Sequence, residues 1–228
     1  MYCTSTQRKL LSESDLAHLE RQGQLKLPQS YRNFMKIYGD GTYGGAICIN
    51  SPDFNLLNQY AEYDFWEYDN SPIRREQMKE CIVIGNSIDG DYIAIHADVD
   101  GYIMLPRHSD QIKLFPNHDE DFLCTINEIG YSLYGEDLDN YFEPAGSDYL
   151  FLHYSGKKMQ NLIRRFKTAF QNDYLIENEY ACEVFLLRMG GYVRFSLSKG
   201  FEVAVFYCKY GSEFFETVKK YLCENGCV

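Results

Sequence analysis

LPQSYRNFMKIYGDGTYGG, residues 27–45, contains a complete G-x-G-x-x-G string at Gly39, Gly41 and Gly44, with Gly45 behind it. In a dinucleotide-binding fold such a loop follows a strand and opens a helix, so that helix N–H groups face the pyrophosphate. Here the order is reversed. Pro28 begins a helix at the position where a missing N–H costs nothing. Tyr31, Phe34, Met35 and Tyr38 then recur at i, i+3, i+4 and i+7 as one apolar stripe. Gly39 stands where a helix turns left-handed and ends, and the strand-like AICIN (46–50) leaves the glycines. A helix C-terminus presents carbonyls and partial negative charge, to which Asp40 adds a full one. A phosphate is repelled there, so the glycines read as a sharp helix-to-strand turn.

Upstream, Ser12 caps a helix to about Gln22, with Gly23 as its stop. Downstream, residues 53–70 read as a short helix or irregular arm, and SPIRREQMKE (71–80) as a helix entered through Ser71 and Pro72. CIVIG (81–85) has strand character and NSIDG (86–90) turn character. DYIAIHA and GYIMLP make a hairpin through Asp98, Val99, Asp100 and Gly101, and QIKLF (111–115) adds a strand. DEDFLCTINEIGYSLYG places Phe122, Ile126, Ile129 and Leu133 on one helical face, with three acids at its favourable N-terminal end. Helices, an antiparallel sheet and a closing helix define an α+β domain over residues 1–140.

EDLDNYFEPAGSD (136–148) is acidic and turn-rich and marks the boundary. Beyond it, residues 149–228 read as a small β-α-β-β-β-α unit: YLFLHYS, a helix with Met159, Leu162, Ile163, Phe166 and Phe170 inward, a three-strand meander and a last helix. A unit this short favours packing on the first over standing free.

With 45% hydrophobic residues, 20 Tyr and 15 Phe, the chain is globular. MYCTSTQRKLLSESD has no apolar run long enough for a signal peptide, and nothing later approaches the ~20 apolar residues of a membrane span. The sequence therefore predicts a cytoplasmic protein with no membrane partner. Its eight cysteines are scattered, without C-x-x-C, and read as thiols acting as small apolar residues. Residues 1–148 carry 25 acidic against 11 basic side chains, net −14, while residues 149–228 carry 8 against 11, net +3. Such a surface disfavours nucleic acid and anionic lipid and attracts a basic protein.

Three segments carry a family resemblance. LPQSYRNFMKIYGDGTYGG, CIVIGNSIDGDYIAIHADVDGYIML and DEDFLCTINEIGYSLYG together resemble the SUKH superfamily over about residues 12–135. It groups fungal cell-wall-synthesis regulators, the bacterial Syd protein and many bacterial immunity proteins. Pro28, Tyr31, Phe34, Gly39, Gly85, Gly90 and Asp91 match family pattern positions and read as fold-forming. The resemblance implies an antiparallel sheet flanked by helices and a binding protein, many members neutralising a toxin, often a nuclease or deaminase, by covering its active site. It supplies no catalytic constellation and covers none of residues 149–228.

The best chemical cluster is His96 with Asp98 and Asp100, alternate residues on one face, with Asp89 and Asp91 near in sequence. An Asp-x-Asp-Gly tip is ordinary turn chemistry, and no G-x-S-x-G, H-E-x-x-H or phosphate loop occurs. No catalytic, cofactor or metal residue is assigned. YAEYDFWEYD (60–69) is more telling: Glu62, Asp64, Glu67 and Asp69 interleave with Tyr60, Tyr63, Phe65, Trp66 and Tyr68. Aromatic anchors with acids that steer a basic partner suit an interface; the plain alternative is that Phe65 and Trp66 are core. The candidate partner-binding residues are Glu62, Asp64, Phe65, Trp66, Glu67, Tyr68 and Asp69, joined by Asp98 and Asp100. The expected function is that of an immunity protein docking on a cognate, basic protein toxin. The alternative is a regulatory or scaffolding interaction module.

Overall fold

The computed structural model describes residues 1–60, 62–118 and 121–228. Its elements begin with β1 (Tyr2–Cys3), α1 (Glu13–Gly23), α2 (Gln29–Ile37), β2 (Gly41–Tyr43), β3 (Ile47–Asp53), β4 (Ile82–Ser87), β5 (Tyr92–Ile95), β6 (Tyr102–Leu105) and β7 (Lys113–Phe115). They continue with α3 (Phe122–Tyr134), β8 (Tyr141–Pro144), β9 (Ser147–His153), α4 (Met159–Ala169), β10 (Tyr174–Glu177), β11 (Ala181–Leu186), β12 (Gly191–Ser196), β13 (Glu202–Cys208) and α5 (Ser212–Glu224). The α+β class holds. By compactness the chain divides into Arg8–Phe142 and a second unit made of Met1–Gln7 with Glu143–Val228.

In the first unit β2 to β7 form an antiparallel meander, each strand pairing with the next, and β8 lies beside β2. The period of two sends the side chains of β6 to opposite faces. Tyr102 meets Ser30 of α2 and Phe122 of α3, while Ile103 and Leu105 face Leu57, Trp66, Ile73 and Met78. Helices thus cover one face of the sheet, and the segment between β3 and β4 covers the other. Under the helices Tyr31, Phe34, Phe122 and Phe142 pack edge to face, with centroids 5.3–5.4 Å apart. The Tyr31 hydroxyl donates to the Asn50 carbonyl at 2.6 Å, tying α2 to β3.

The glycine stretch is a turn and a hairpin. α2 ends at Tyr38, Gly39 takes φ +72°, and a Cβ there would strike the Lys9 carbonyl. β2 then runs directly into β3, and Asp40 accepts from the Ser51 amide and hydroxyl at 2.6 and 2.7 Å.

Several local expectations change. Gly23 does not stop α1. It lies inside the helix, Gln24 adopts the left-handed φ of 51°, and a Cβ on Gly23 would stand 2.5 Å from the Phe54 ring and 2.8 Å from Ile82. The glycine is there for close approach. Residues 71–80 form only a 3-10 turn over Arg75–Glu80, entered at Arg74 rather than Ser71. Of the three acids expected at the start of α3, Asp119 and Glu120 lie outside the described residues. Asp121 caps the helix by accepting from Leu123 N at 2.9 Å. The acidic boundary segment contains β8, whose Tyr141 and Phe142 are buried.

The second unit has one strand more than expected. β10 precedes the meander, so its sheet is five-stranded in the order β10-β11-β12-β13-β9. Four residues are too few for a visible alternation, and the strand is specified by pairing with β11. Helices α4 and α5 cover one face, with Leu162, Phe166, Val218 and Leu222 against Val184, Val193, Val203 and Val205. The other face carries a row of directly paired aromatics: Tyr174, Phe185, Tyr192, Phe206 and Tyr149, one from each strand. Neighbouring rings stand 4.5–6.4 Å apart. Tyr2 stacks on Tyr174 at 5.0 Å, bringing the N-terminal residues into this unit.

Candidate functional site

Residues 54–60 and 62–80 form the irregular arm over the second face of the first sheet, with one 3-10 turn at Leu56–Gln59 and another at Arg75–Glu80. The arm is pinned by Trp66. Only 8% of that residue is exposed, and its indole N–H donates to the Pro106 carbonyl at 2.8 Å. Next to it Glu67 N donates to the Asp110 carbonyl at 2.8 Å. A buried indole needs such an acceptor, and the chain beyond β6 supplies it.

Phe65 and Trp66 are adjacent in sequence, and the structure separates them. Trp66 belongs to the core, packed with Leu57, Ile73 and Met78. Phe65 is 52% exposed and its neighbour Tyr63 59% exposed, their rings 5.4 Å apart. Tyr68 is half-buried against the same core as Trp66, and its hydroxyl is raised above the ordinary tyrosine range, chiefly by burial. Glu62, Asp64, Glu67 and Asp69 are all exposed. Asp64 meets Arg75 at 2.5 Å, which holds the arm to the following turn.

Asp98 and Asp100 lie in the exposed β5–β6 turn. The Asp98 carboxylate accepts from the Gln77 side-chain amide at 3.1 Å, joining that turn to the arm. His96 is buried: its Nδ1 accepts the Asp98 N–H at 3.1 Å, and its Nε2 lies 3.3 Å from Glu80. Both ring nitrogens therefore serve local structure. Asp89 and Asp91 stand at the other end of β5 and do not join His96. Among the described residues no group of three His, Cys, Asp or Glu side chains could hold a metal ion.

Beside Phe65 a cleft of about 410 Å³ opens, lined by Tyr60, Phe65, Trp66, Tyr92, Pro106 and Arg107. Tyr60 and Tyr92 share a hydroxyl hydrogen bond of 3.0 Å, and burial first, then this bond, pushes the Tyr92 hydroxyl up to about 12. Arg107 donates from its guanidinium to the Asp89 carbonyl at 3.1 Å. Its backbone N–H donates to the buried Asp91 carboxylate at 2.9 Å, and Ser87 gives its hydroxyl hydrogen to the same carboxylate. Tyr92, Pro106 and Arg107 had no signal in the sequence, because strand pairing brings them to the arm from elsewhere in the chain. Geometrically, the cleft can admit one planar or branched side chain between aromatic walls, with exposed carboxylates on the same arm.

These features define an α+β domain in which an antiparallel meander carries helices on one face and an aromatic, acidic arm on the other. The chain belongs to the SMI1/KNR4 family (SUKH-1), whose family model matches residues 10–125. The match begins after Gln7 and stops inside α3, so the second unit lies outside it. Neither the curated proteins nor the solved structures gave a match. Tyr31, Phe34, Gly39 and Asp91, pattern positions in the resemblance, hold α2, its end and the β4–β5 turn in place. Among the described residues no helix is long and apolar enough to cross a membrane.

Proposed function

We propose that this chain is an immunity protein that neutralises a basic protein toxin, of nuclease or deaminase type, by docking on its active site, with no bond made or broken. The observation that carries this reading is the pair of exposed rings, Tyr63 and Phe65, amid four exposed carboxylates beside an aromatic cleft. Interfaces concentrate their energy in aromatic anchors, and surrounding acids accelerate encounter with a basic surface. Net −14 over residues 1–148 gives that steering its sign.

Affinity capture from the native host with wild-type protein and a Phe65→Ala variant, followed by mass spectrometry, tests it. A basic toxin retained by the wild type is the expected result. Phe65→Ala should weaken its binding by about 2 kcal/mol with stability held within ~0.5 kcal/mol, since the ring is exposed. Association should slow as salt rises. A partner that binds faster in high salt, or that ignores the loss of Phe65, would overturn the proposal.

A further inference from the structure

In the five-stranded sheet β9 has a neighbour, β13, on one side only. Hydrogen bonds at its end fix which backbone groups face the other way. Tyr154 donates its N–H to Phe201, the residue leading into β13, at 2.6 Å. His153 instead donates to Val228 at 2.7 Å and accepts from it at 2.9 Å, on the opposite side. The N–H and C=O of one residue in an antiparallel strand point the same way, and the direction alternates along the chain. Ser147, Tyr149 and Phe151 therefore turn their hydrogen-bonding groups away from β13. Val228 closes this edge at His153 and the turn at Ala145–Gly146 closes it at the start, so the open stretch is 147–151, centred on Tyr149.

Open edges normally carry a proline, a lysine, a bulge or an inward charge that discourages pairing. Ser147-Asp148-Tyr149-Leu150-Phe151 carries no proline, lysine or bulge, and its one charge, Asp148, on the face of Leu150, is paired with Lys209 at 3.8 Å. Tyr149 is 65% exposed and Phe151 58% exposed, their rings 5.3 Å apart.

We propose that β9 is the seam of a homodimer, in which two copies pair this strand antiparallel about a two-fold axis through Tyr149. In that register Tyr149 opposes Tyr149 of the other copy and Ser147 opposes Phe151. Every outward residue is then used, each pair exchanging both its hydrogen bonds. The same register continues the aromatic row, because Tyr149 is the last ring of the row that crosses β10, β11, β12 and β13. A foreign strand would satisfy the backbone, but a second copy also prolongs the row in step, and its self-pairing is isologous and closed. Offset charge on the strand leaves little repulsion between identical edges.

Sedimentation velocity of the full chain at micromolar concentration reads the result. The expected mass is twice the 26.6 kDa of one chain. Tyr149→Lys sets two ammonium groups face to face and should halve that mass with an unchanged circular dichroism spectrum, whereas Tyr149→Phe should stay dimeric. Hydrogen exchange gives a second reading on the wild type alone. The Tyr149 and Phe151 amides should be protected and lose protection on dilution, while those of Leu150 and Leu152, which face β13, stay slow throughout. Phe151→Lys should act like Tyr149→Lys and serves if that variant fails to fold. A chain that remains monomeric, or a dimer that both lysine variants leave intact, overturns the proposal.

Discussion

Asp91 offers the sharpest test of what holds the cleft in shape. Its buried carboxylate takes the Ser87 hydroxyl hydrogen and the Arg107 backbone N–H, while its own N–H donates to Ser87 Oγ at 3.0 Å. Asp91→Ala leaves two donors without an acceptor. Hydrogen bonds to a charged group are worth ~1.5–3 kcal/mol each, so the pair sets an upper range of ~3–6 kcal/mol. Water reaching the exposed Arg107 side of the turn brings the expected loss down to about 3 kcal/mol. With a urea slope of ~1.5 kcal/mol per molar, the midpoint falls by about 2 M. Asp91→Asn keeps an acceptor in the same place and should cost about 1 kcal/mol, or ~0.7 M. Trp66 is the chain's one tryptophan and lies in the same unit, so its fluorescence follows this transition. An alanine variant within ~0.3 M of wild type, or an asparagine variant as damaged as alanine, would refute the assignment of Asp91 as the clamp.

Gly23→Ala sets two effects against each other: alanine favours a helix by ~1 kcal/mol, but forcing a methyl against Phe54 and Ile82 costs ~1–3 kcal/mol. Crowding should win, lowering the thermal midpoint; a rise would mean that Phe54 swings aside. Trp66→Ala should cost ~3–5 kcal/mol in a urea melt followed by circular dichroism, as expected of a core indole; a loss under ~1 kcal/mol would place the ring outside the core. Burial raises the Glu143 carboxyl, against the lowering effect of hydrogen bonds from Ser147 and Tyr192. The folded state then holds that proton more tightly than the unfolded one, so this group's contribution falls as pH climbs from ~4.3 through the raised value. Glu143→Gln should therefore slow hydrogen exchange in β12 at neutral pH and flatten its dependence over the weakly acidic range; an unchanged pH profile would count against the burial. Burial pushes the thiols of Cys81 and Cys182 up to about 12 and that of Cys227 to about 11, whereas Cys223 is exposed. Iodoacetamide followed by peptide mass spectrometry should mark Cys223 first, and early labelling of Cys81 would contradict its burial.

What could be read in advance was whatever repeats locally. The stripe of Tyr31, Phe34 and Met35 announced α2, and the order of helix, glycines and strand announced the turn at its end. The inward faces of α3 and α4 were legible for the same reason, because a period of 3.6 leaves its mark in one segment. The arm has no period, so nothing in YAEYDFWEYD distinguishes the ring that faces in from the one that faces out. That choice is made by the Pro106 carbonyl, forty residues downstream of Trp66. Gly23 was misread because a stop signal and a close approach use the same residue. Strands β8 and β10 escaped because four residues inside polar sequence become strands only through their neighbours. The cleft, assembled from the arm and from the start of β5 and the end of β6, which pairing sets side by side, had no local sign at all.

The arm touches its scaffold through a few side chains and an isolated bridge between Glu67 and Gln111, not through a continuous ladder. Positions 62–65 thus lack the backbone ladder that fixes the strands beneath them, and Asp64 is held by its ion pair with Arg75. A loop grafted at 62–65 should therefore be tolerated while the sheet beneath it stays as it is.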